Sequence, residues 1–124
     1  MSLKTFTIIG SGNVATHIGK ALQRGGYIIN GVFSHTLANA EQLAAALHCP
    51  ATDSIGDVPE ADAFLFSVKD SALPSLASEI VKRFGKTPTY IHTAGCIPVS
   101  IFGNGATRQA VIYPLQTLSK QREI

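Results

Sequence analysis

The chain has 124 residues, of which 45% are hydrophobic and 15% are charged, and its formal net charge at pH 7 is +2. This length suits one domain, and the apolar fraction is sufficient for a buried core, which argues against a disordered chain. The basic residues are scattered, and neither a membrane-length apolar run nor a signal peptide is recognisable. We therefore expect neither a nucleic acid nor a membrane as a partner, whereas the mild positive bias suits an anionic ligand.

The two cysteines are isolated in the sequence. Cys49 and Cys96 have no second thiol or histidine at metal-ligand spacing. We expect two buried free thiols, no metal site, and a cytoplasmic location, because free thiols persist in a reducing compartment.

The first half of the chain alternates short apolar runs with helical patterns. Thr5–Ile9 is rich in strand-forming residues, and Asn13–Arg24 carries apolar residues at helical spacing. Residues 27–34 predict a second strand that is interrupted near Asn30, and residues 40–47 predict a second helix. This order predicts a strand–helix–strand unit.

The second half continues the alternation. Residues 51–62 predict mostly loop, with at most a very short third strand. The apolar run at 63–68 is typical of a parallel strand that is covered on both faces. Residues 73–84 show the clearest helical periodicity, and we expect Asp70 or Ser71 to cap this helix.

Two further strands are predicted at residues 89–92 and 109–113. Repeated strand–helix–strand units with short connections imply right-handed crossovers and a parallel sheet. The predicted fold class is therefore α/β, with a doubly wound parallel sheet in a single domain. We place this domain at residues 1–118 and interpret 119–124 as a polar tail that begins a linker to a C-terminal domain outside this chain.

A glycine-rich turn of the form G-x-G-x-x-A joins the first predicted strand to the first helix. Gly10 permits the sharp turn, Gly12 lets a pyrophosphate approach the amide groups of the helix start, and Ala15 allows close packing on the sheet. In this position the pattern indicates a Rossmann-type dinucleotide site, although a turn that binds nothing is the alternative. The predicted cofactor-binding residues of the turn are Gly10, Ser11, Gly12, Asn13 and Val14.

The end of the second strand bears on the choice of cofactor. It reads Ser34-His35-Thr36, with no acidic residue before Glu41. NAD-selective sites place a carboxylate here, which would repel the 2′-phosphate of NADP. The two hydroxyls and the imidazole can instead donate hydrogen bonds to a phosphate, and Arg24 is a candidate for added charge. We predict NADP as the preferred cofactor; the alternative is a solvated His35 and a site that also accepts NAD.

The run IIGSGNVATHIGKAL resembles the opening of the NADP-binding domains of pyrroline-5-carboxylate reductases and deazaflavin-dependent NADP oxidoreductases. Three later stretches, FSVKD at 66–70, HTAG at 92–95 and YPLQT at 113–117, resemble an oxidoreductase family in which such a domain precedes a helical C-terminal domain. The resemblance covers essentially the whole chain and is specific for the cofactor, not the substrate. The chain departs from it at His35, where an arginine is frequent in the resembling families.

The resemblance adds site residues at the ends of the later strands, namely Val68, Lys69, Thr93, Ala94 and Gly95. It implies that the first two lie beside the nicotinamide ribose and that the last three form the floor of the nicotinamide site. Pro114 and Gln116 would lie where the first domain meets the second. In open α/β sheets, ligands bind at these same carboxyl ends of strands.

Lys69 and His92 are the candidate catalytic residues. Lys69 can serve as a general acid or bind a substrate carboxylate, and a solvated loop lysine is the alternative. His92 can donate a proton to a carbonyl or imine, and a histidine that is hydrogen-bonded within its own loop is the alternative. No nucleophile–base pair, phosphate-binding lysine or metal-spaced carboxylate cluster is recognisable in the sequence, which argues against hydrolases, kinases and metalloenzymes.

These features predict the NAD(P)-binding domain of an oxidoreductase that transfers hydride between NADP(H) and a small imine or carbonyl substrate. The alternative is a non-catalytic module that binds or senses a dinucleotide. Because such a domain forms only one wall of an active cleft, we expect residues 1–124 to be catalytically incomplete. A helical C-terminal domain or a second subunit, for example in a homodimer, would complete the site.

Overall fold

The computed structural model describes residues 4–93, 99–102 and 108–111. Strands and helices alternate in the order β1 (Thr5–Ile9), α1 (Asn13–Arg24), β2 (Ile28–Phe33), α2 (Leu37–Leu47), β3 (Ala51–Thr52), β4 (Ala63–Phe66), α3 (Leu73–Phe84), β5 (Thr89–His92) and β6 (Arg108–Val111). None of the helices in these ranges is long and apolar enough to cross a membrane. The predicted roles of Ala94, Gly95, Cys96, Pro114 and Gln116, and the tail at 119–124, fall outside the described residues.

The strands form one six-stranded sheet in the order β3-β2-β1-β4-β5-β6, and every neighbouring pair is parallel. The chain moves outward from β1 to β3, returns to the centre with β4, and then moves outward on the other side. This arrangement confirms the predicted α/β, Rossmann-type doubly wound sheet. The strand order reverses between β1 and β4, and a crevice opens at such a point beyond the carboxyl ends of the strands.

The core has two layers because helices cover both faces of the sheet. The central strand β4 shows this most clearly, since all four of its side chains are buried. Ala63 and Leu65 pack on the face covered by α1 and α2, whereas Phe64 and Phe66 pack on the face covered by α3. A strand that is buried on both faces requires a continuous apolar run, as the sequence predicts here.

The predicted interruption of β2 is a bulge at Asn30. The register between β1 and β2 shifts there, so that Thr7 pairs with Gly31 and Asn30 has no partner in the ladder. The side-chain amide of Asn30 (Nδ2) instead donates a hydrogen bond of 2.8 Å to the backbone carbonyl oxygen of Glu60. A Cβ on Gly31 would lie 2.6 Å from Pro59 Cγ, so glycine allows the loop before β4 to pack against the bulge.

The predicted cap of α3 is wrong. The helix begins at Leu73 with Ala72 at its N-cap, and no side chain caps it. The backbone N–H groups of Ala72 and Leu73 both donate to the carbonyl oxygen of Lys69, at 2.9 and 3.1 Å. A cap at Asp70 would accept hydrogen bonds from these same two amides, which the backbone turn has already satisfied. Asp70 therefore lies outside the helix with an exposed side chain.

Several strand boundaries also differ from the prediction by one or two residues. β2 spans Ile28–Phe33, one residue shorter at each end than predicted. β4 ends at Phe66, two residues before the predicted end, although the N–H of the next residue, Ser67, still donates to the carbonyl oxygen of Ile9 on β1 at 2.8 Å. β6 begins at Arg108, one residue earlier than predicted. The very short third strand is confirmed as Ala51–Thr52.

Candidate functional site

The first glycine of the turn is required by the backbone. Gly10 has a φ of +126°, and a Cβ at this position would lie 2.0 Å from the carbonyl oxygen of Ser67. Its N–H donates to the carbonyl oxygen of Phe33 at 2.7 Å. Gly10 therefore lies buried beneath the site and fixes the glycine turn between the ends of β2 and β4, in agreement with the sharp turn predicted for it.

The second glycine faces open space. Gly12 is the N-cap of α1, and no atom of the described residues lies within 4 Å of where its Cβ would be. No side chain caps this helix end, and its first turn contains no acidic residue. Uncapped amide groups at a helix N-terminus attract anions, and the missing Cβ leaves room for a phosphate group to reach them. The residues present thus fit a pyrophosphate.

A cleft of about 680 Å³ lies at the carboxyl ends of β1, β2, β4 and β5. The predicted site residues that line it are Ser11, Gly12, Asn13, Val14, Ser34, His35, Thr36, Val68, Lys69 and Thr93. The lining residues that the sequence analysis did not assign to the site are Phe33, Asn39, Ser67, Asp70 and Ala72. Most of these flank predicted site residues. The sequence therefore predicted where each loop lies, but not how many of its residues reach the cleft.

The loop after β2 is tied to the glycine turn through a pair of hydroxyl groups. Ser11 Oγ donates a hydrogen bond of 3.1 Å to Ser34 Oγ, and the backbone N–H of Thr36 donates to the same oxygen at 3.3 Å. The N–H of Ser34 in turn donates to the carbonyl oxygen of Thr52 at 3.1 Å. The Ser34 hydroxyl is therefore held in place on the β2 side of the cleft.

Two basic residues are predicted for the β2 side of the cleft, and only one of them, His35, lines it. His35 is exposed and lines the cleft, with its ring edge-on to Phe33 at a centroid distance of 5.5 Å. Arg24 does not contribute, because it ends the helix whose first residue, Asn13, lines the cleft. The rise of an α-helix puts roughly 17 Å between the two ends. The suggestion that Arg24 adds charge to the site is therefore wrong.

Lys69 and Asp70 bring a positive and a negative side chain to the β4 side of the cleft. Both are exposed and line it, and neither side chain forms a hydrogen bond or ion pair with another of the residues that the structure describes. Asp70 is the only acidic side chain among the described lining residues. The two groups are thus available to a ligand, while the residues described on the β2 side include no carboxylate.

His92 and Thr93 have different environments although they are adjacent. His92 is fully buried on β5, where its ring lies 5.7 Å from that of Phe102, and it does not line the cleft. This placement favours the alternative of a histidine held within the fold, and proton donation by His92 stays a prediction. Thr93 lines the cleft, and its N–H donates to the carbonyl oxygen of Phe66 at 3.2 Å.

The groups with shifted pKa values lie away from the cleft. Backbone hydrogen bonds from Lys4 and Thr5 lower the pKa of Asp62, and burial raises the pKa of Tyr90 to about 12. Burial also raises the pKa of the thiol of Cys49, which is free but only half-buried, less than the sequence predicts. Within residues 4–93, 99–102 and 108–111, no cluster of His, Cys, Asp and Glu could hold a metal ion.

Comparison with known proteins gives matches over most of the chain. A family model described as a Rossmann-like domain matches residues 2–116. A provisionally named NADP oxidoreductase from Bacteroides fragilis is 34% identical, with a TM-score of 0.77, over 83% of this chain and 40% of that one. A protein from Thermotoga maritima is 17% identical, with a TM-score of 0.69, over 96% of this chain and 46% of that one.

Prephenate dehydrogenase from A. aeolicus, in complex with hydroxyphenyl propionate and NAD+, is also 17% identical. Its TM-score is 0.69, and the match covers 86% of this chain and 41% of that one. At this identity the likeness, like that to the Thermotoga maritima protein, shows the fold alone. No curated protein matches the chain.

The chain spans less than half the length of each of these three solved structures. The match to the Bacteroides fragilis protein, together with the family match, confirms the resemblance to the NADP oxidoreductase-like group that the sequence predicted. The family match covers all of the described residues. The chain belongs to the Rossmann-like domain family.

Proposed function

We propose that the cleft binds NADP(H) and that the chain is the cofactor domain of an oxidoreductase acting on a small imine or carbonyl substrate. The observation that carries this proposal is the convergence of three loops, at residues 11–14, 34–36 and 67–70, on one cleft of about 680 Å³. This volume lies in the range of small-molecule and cofactor sites. The bound nicotinamide would supply or accept hydride, and the protein would bind and orient it.

Each loop has a part in binding. The amide groups at the start of α1, beside Gly12, would hold the pyrophosphate. Ser34, His35 and Thr36 would hold the 2′-phosphate, and the residues at the ends of β4 and β5 would face the nicotinamide half. The absence of a carboxylate from the described β2 side of the cleft supports NADP over NAD, because such a carboxylate would repel a 2′-phosphate. The name of the Bacteroides fragilis relative agrees with this preference.

Lys69 is the side chain of the cleft with the best case for a role in catalysis. Its ammonium group is exposed, lies next to Val68 on the β4 side, and forms no ion pair within the described part of the chain. We propose that it donates a proton to the substrate or binds a substrate carboxylate. His92 has no comparable access, since it is fully buried.

The substrate side of the active site would come from elsewhere. The related solved chains are more than twice as long as the part that matches, which is consistent with a further domain in those proteins. We propose that a helical C-terminal domain, or a second subunit of a homodimer, forms the other wall. A cytoplasmic location remains a prediction from the sequence.

A non-catalytic, dinucleotide-sensing module is the second candidate, and the burial of His92 is the observation that favours it. The test is the oxidation of NADPH by the whole protein that contains this domain, across a panel of small imines and ketones. Turnover that is lost in Lys69→Met but retained in the matched surface variant Lys82→Met would support the enzyme. Tight NADPH binding without turnover on any member of the panel would favour the sensor.

A further inference from the structure

We propose that Ser11 is a positioning residue for cofactor selectivity, which acts by holding the Ser34 hydroxyl in the orientation that donates to a 2′-phosphate. The inference rests on the proposed function, since it requires a dinucleotide in the cleft. In the G-x-G-x-x-A pattern, Ser11 is the variable residue between two glycines, and the pattern assigns no role to its side chain. The structure places this side chain against the loop after β2.

The argument begins with the hydrogen-bonding capacity of a hydroxyl group. A serine oxygen accepts two hydrogen bonds and donates one. Ser34 Oγ already accepts from Ser11 Oγ at 3.1 Å and from the N–H of Thr36 at 3.3 Å. A bound phosphate oxygen, which can only accept, favours this direction of the hydrogen bond between the serines, because both lone pairs of Ser34 Oγ are then used and its own O–H is left to donate.

The second step is that both backbones are fixed. The N–H of Gly10, next to Ser11, donates to the carbonyl oxygen of Phe33 at 2.7 Å. The N–H of Ser34 donates to the carbonyl oxygen of Thr52 at 3.1 Å. The two serines are thus held just beyond the carboxyl ends of the paired strands β1 and β2, and both line the cleft.

The third step concerns what is lost without Ser11. In Ser11→Ala, one lone pair of Ser34 Oγ becomes free, so the hydroxyl can rotate and accept a hydrogen bond from water. The O–H of Ser34 is then no longer constrained to donate to the 2′-phosphate. NAD has no 2′-phosphate, so the effect of this loss must appear in the ratio of the two dissociation constants. A change in the shape of the glycine turn would weaken both cofactors alike and would leave the ratio unchanged.

The experiment measures the Kd of NADPH and of NADH for the wild type, Ser11→Ala, Ser34→Ala and the double variant. Ser11→Thr keeps a hydroxyl at the same position, and Ser78→Ala removes an exposed serine of α3 outside the cleft. We expect Ser11→Ala to reduce the preference for NADPH by about three- to tenfold, the net worth of one hydrogen bond. Ser11→Thr and Ser78→Ala should keep the wild-type ratio.

The double variant decides whether Ser11 acts through Ser34. If it does, Ser11→Ala should change the ratio little once Ser34 is already alanine, so the two effects should not add. Additive effects, or a folded Ser11→Ala variant with an unchanged ratio, would overturn the inference. A wild type that binds both cofactors equally would overturn it and leave the dinucleotide site standing. A wild type that binds neither NADPH nor NADH would contradict the proposed function as well.

Discussion

The Cβ of any residue that replaced Gly10 would lie 2.0 Å from the carbonyl oxygen of Ser67, well inside van der Waals contact. The end of β1 and the segment that follows β4 thus approach each other at the point where the strand order reverses. The N–H of Ser67 donates to the carbonyl oxygen of Ile9 in the same place. This close approach brings the glycine turn and the loop that carries Lys69 into one cleft.

The first prediction concerns this contact. Gly10→Ala should lower the free energy of unfolding by about 2–4 kcal/mol, because the new methyl group overlaps backbone atoms that cannot move independently. Gly26→Ala is the matched control, since Gly26 also has a positive φ, of 93°, but no described residue has an atom within 4 Å of its Cβ position. Urea unfolding should show a smaller loss there. Equal losses would mean that backbone strain, not the contact with Ser67, requires glycine at position 10.

The second prediction concerns the end of the sheet opposite to the cleft. The carboxylate of Asp62 accepts hydrogen bonds from the N–H groups of Lys4 and Thr5, at 2.9 and 3.2 Å, and these lower its pKa below the ordinary value of 3.8. A carboxyl whose pKa is lower in the folded state stabilises that state above its unfolded pKa, and the contribution is lost as the pH falls through the folded pKa.

Asp62→Asn should therefore be less stable than the wild type at neutral pH, with a difference that shrinks below the ordinary carboxyl pKa. Unfolding in urea at several pH values checks this expectation. A stability difference that does not change with pH would show that the charge of Asp62 is not what matters. Cofactor affinity should be the same in both proteins, because Asp62 does not line the cleft.

The third prediction uses the C-terminus of α2. His48 adopts the left-handed conformation there, with a φ of 57°, and its side chain is exposed. This conformation suits glycine, whereas a residue with a Cβ is strained in it. His48→Gly should raise the free energy of unfolding by about 0.5–1 kcal/mol after the entropic cost of glycine. A lower thermal midpoint for the variant would contradict this account of the cap.

The fourth prediction concerns the 2′-phosphate. His35 lines the cleft at a position where an arginine would carry a permanent charge and two parallel donors. His35→Arg should raise the affinity for NADPH relative to NADH by about three- to tenfold, a modest gain because the side chain is exposed. His35→Asp should reverse the preference. Equal changes for both cofactors would place the 2′-phosphate away from residue 35.

The fold could be predicted from the sequence because its determinants are local. The apolar run of β4, the helical stripe of α3 and the glycine turn each specify their own element. Predicting Asp70 as a cap failed because the carbonyl group of Lys69, a backbone atom present at every residue, bonds the same amides. Sequence spacing cannot show which of two acceptors a turn will use.

The site could be predicted as a set of loops but not as a set of contacts. The glycine motif predicted the first loop, the residues after the second strand predicted the loop after β2, and the family resemblance added the loop after β4, in agreement with the strand-end rule. The hydrogen bond between Ser11 and Ser34 joins residues 23 positions apart, and it depends on the pairing of β1 with β2. His92 is at the predicted strand end, yet its side chain packs on the α3 face beside Phe102. That difference depends on which face of β5 the residue occupies.

The most direct test of the central claim is the affinity of Gly12→Val for NADPH. Gly12 has a φ of −77°, which valine can adopt, and open space at its Cβ position, so the variant should fold while its branched side chain fills the approach to the helix amides. Gly56→Val, at an exposed glycine outside the cleft, is the control. The account predicts at least a roughly tenfold loss of affinity in Gly12→Val and none in Gly56→Val. A folded Gly12→Val variant that binds NADPH as tightly as the wild type would contradict it.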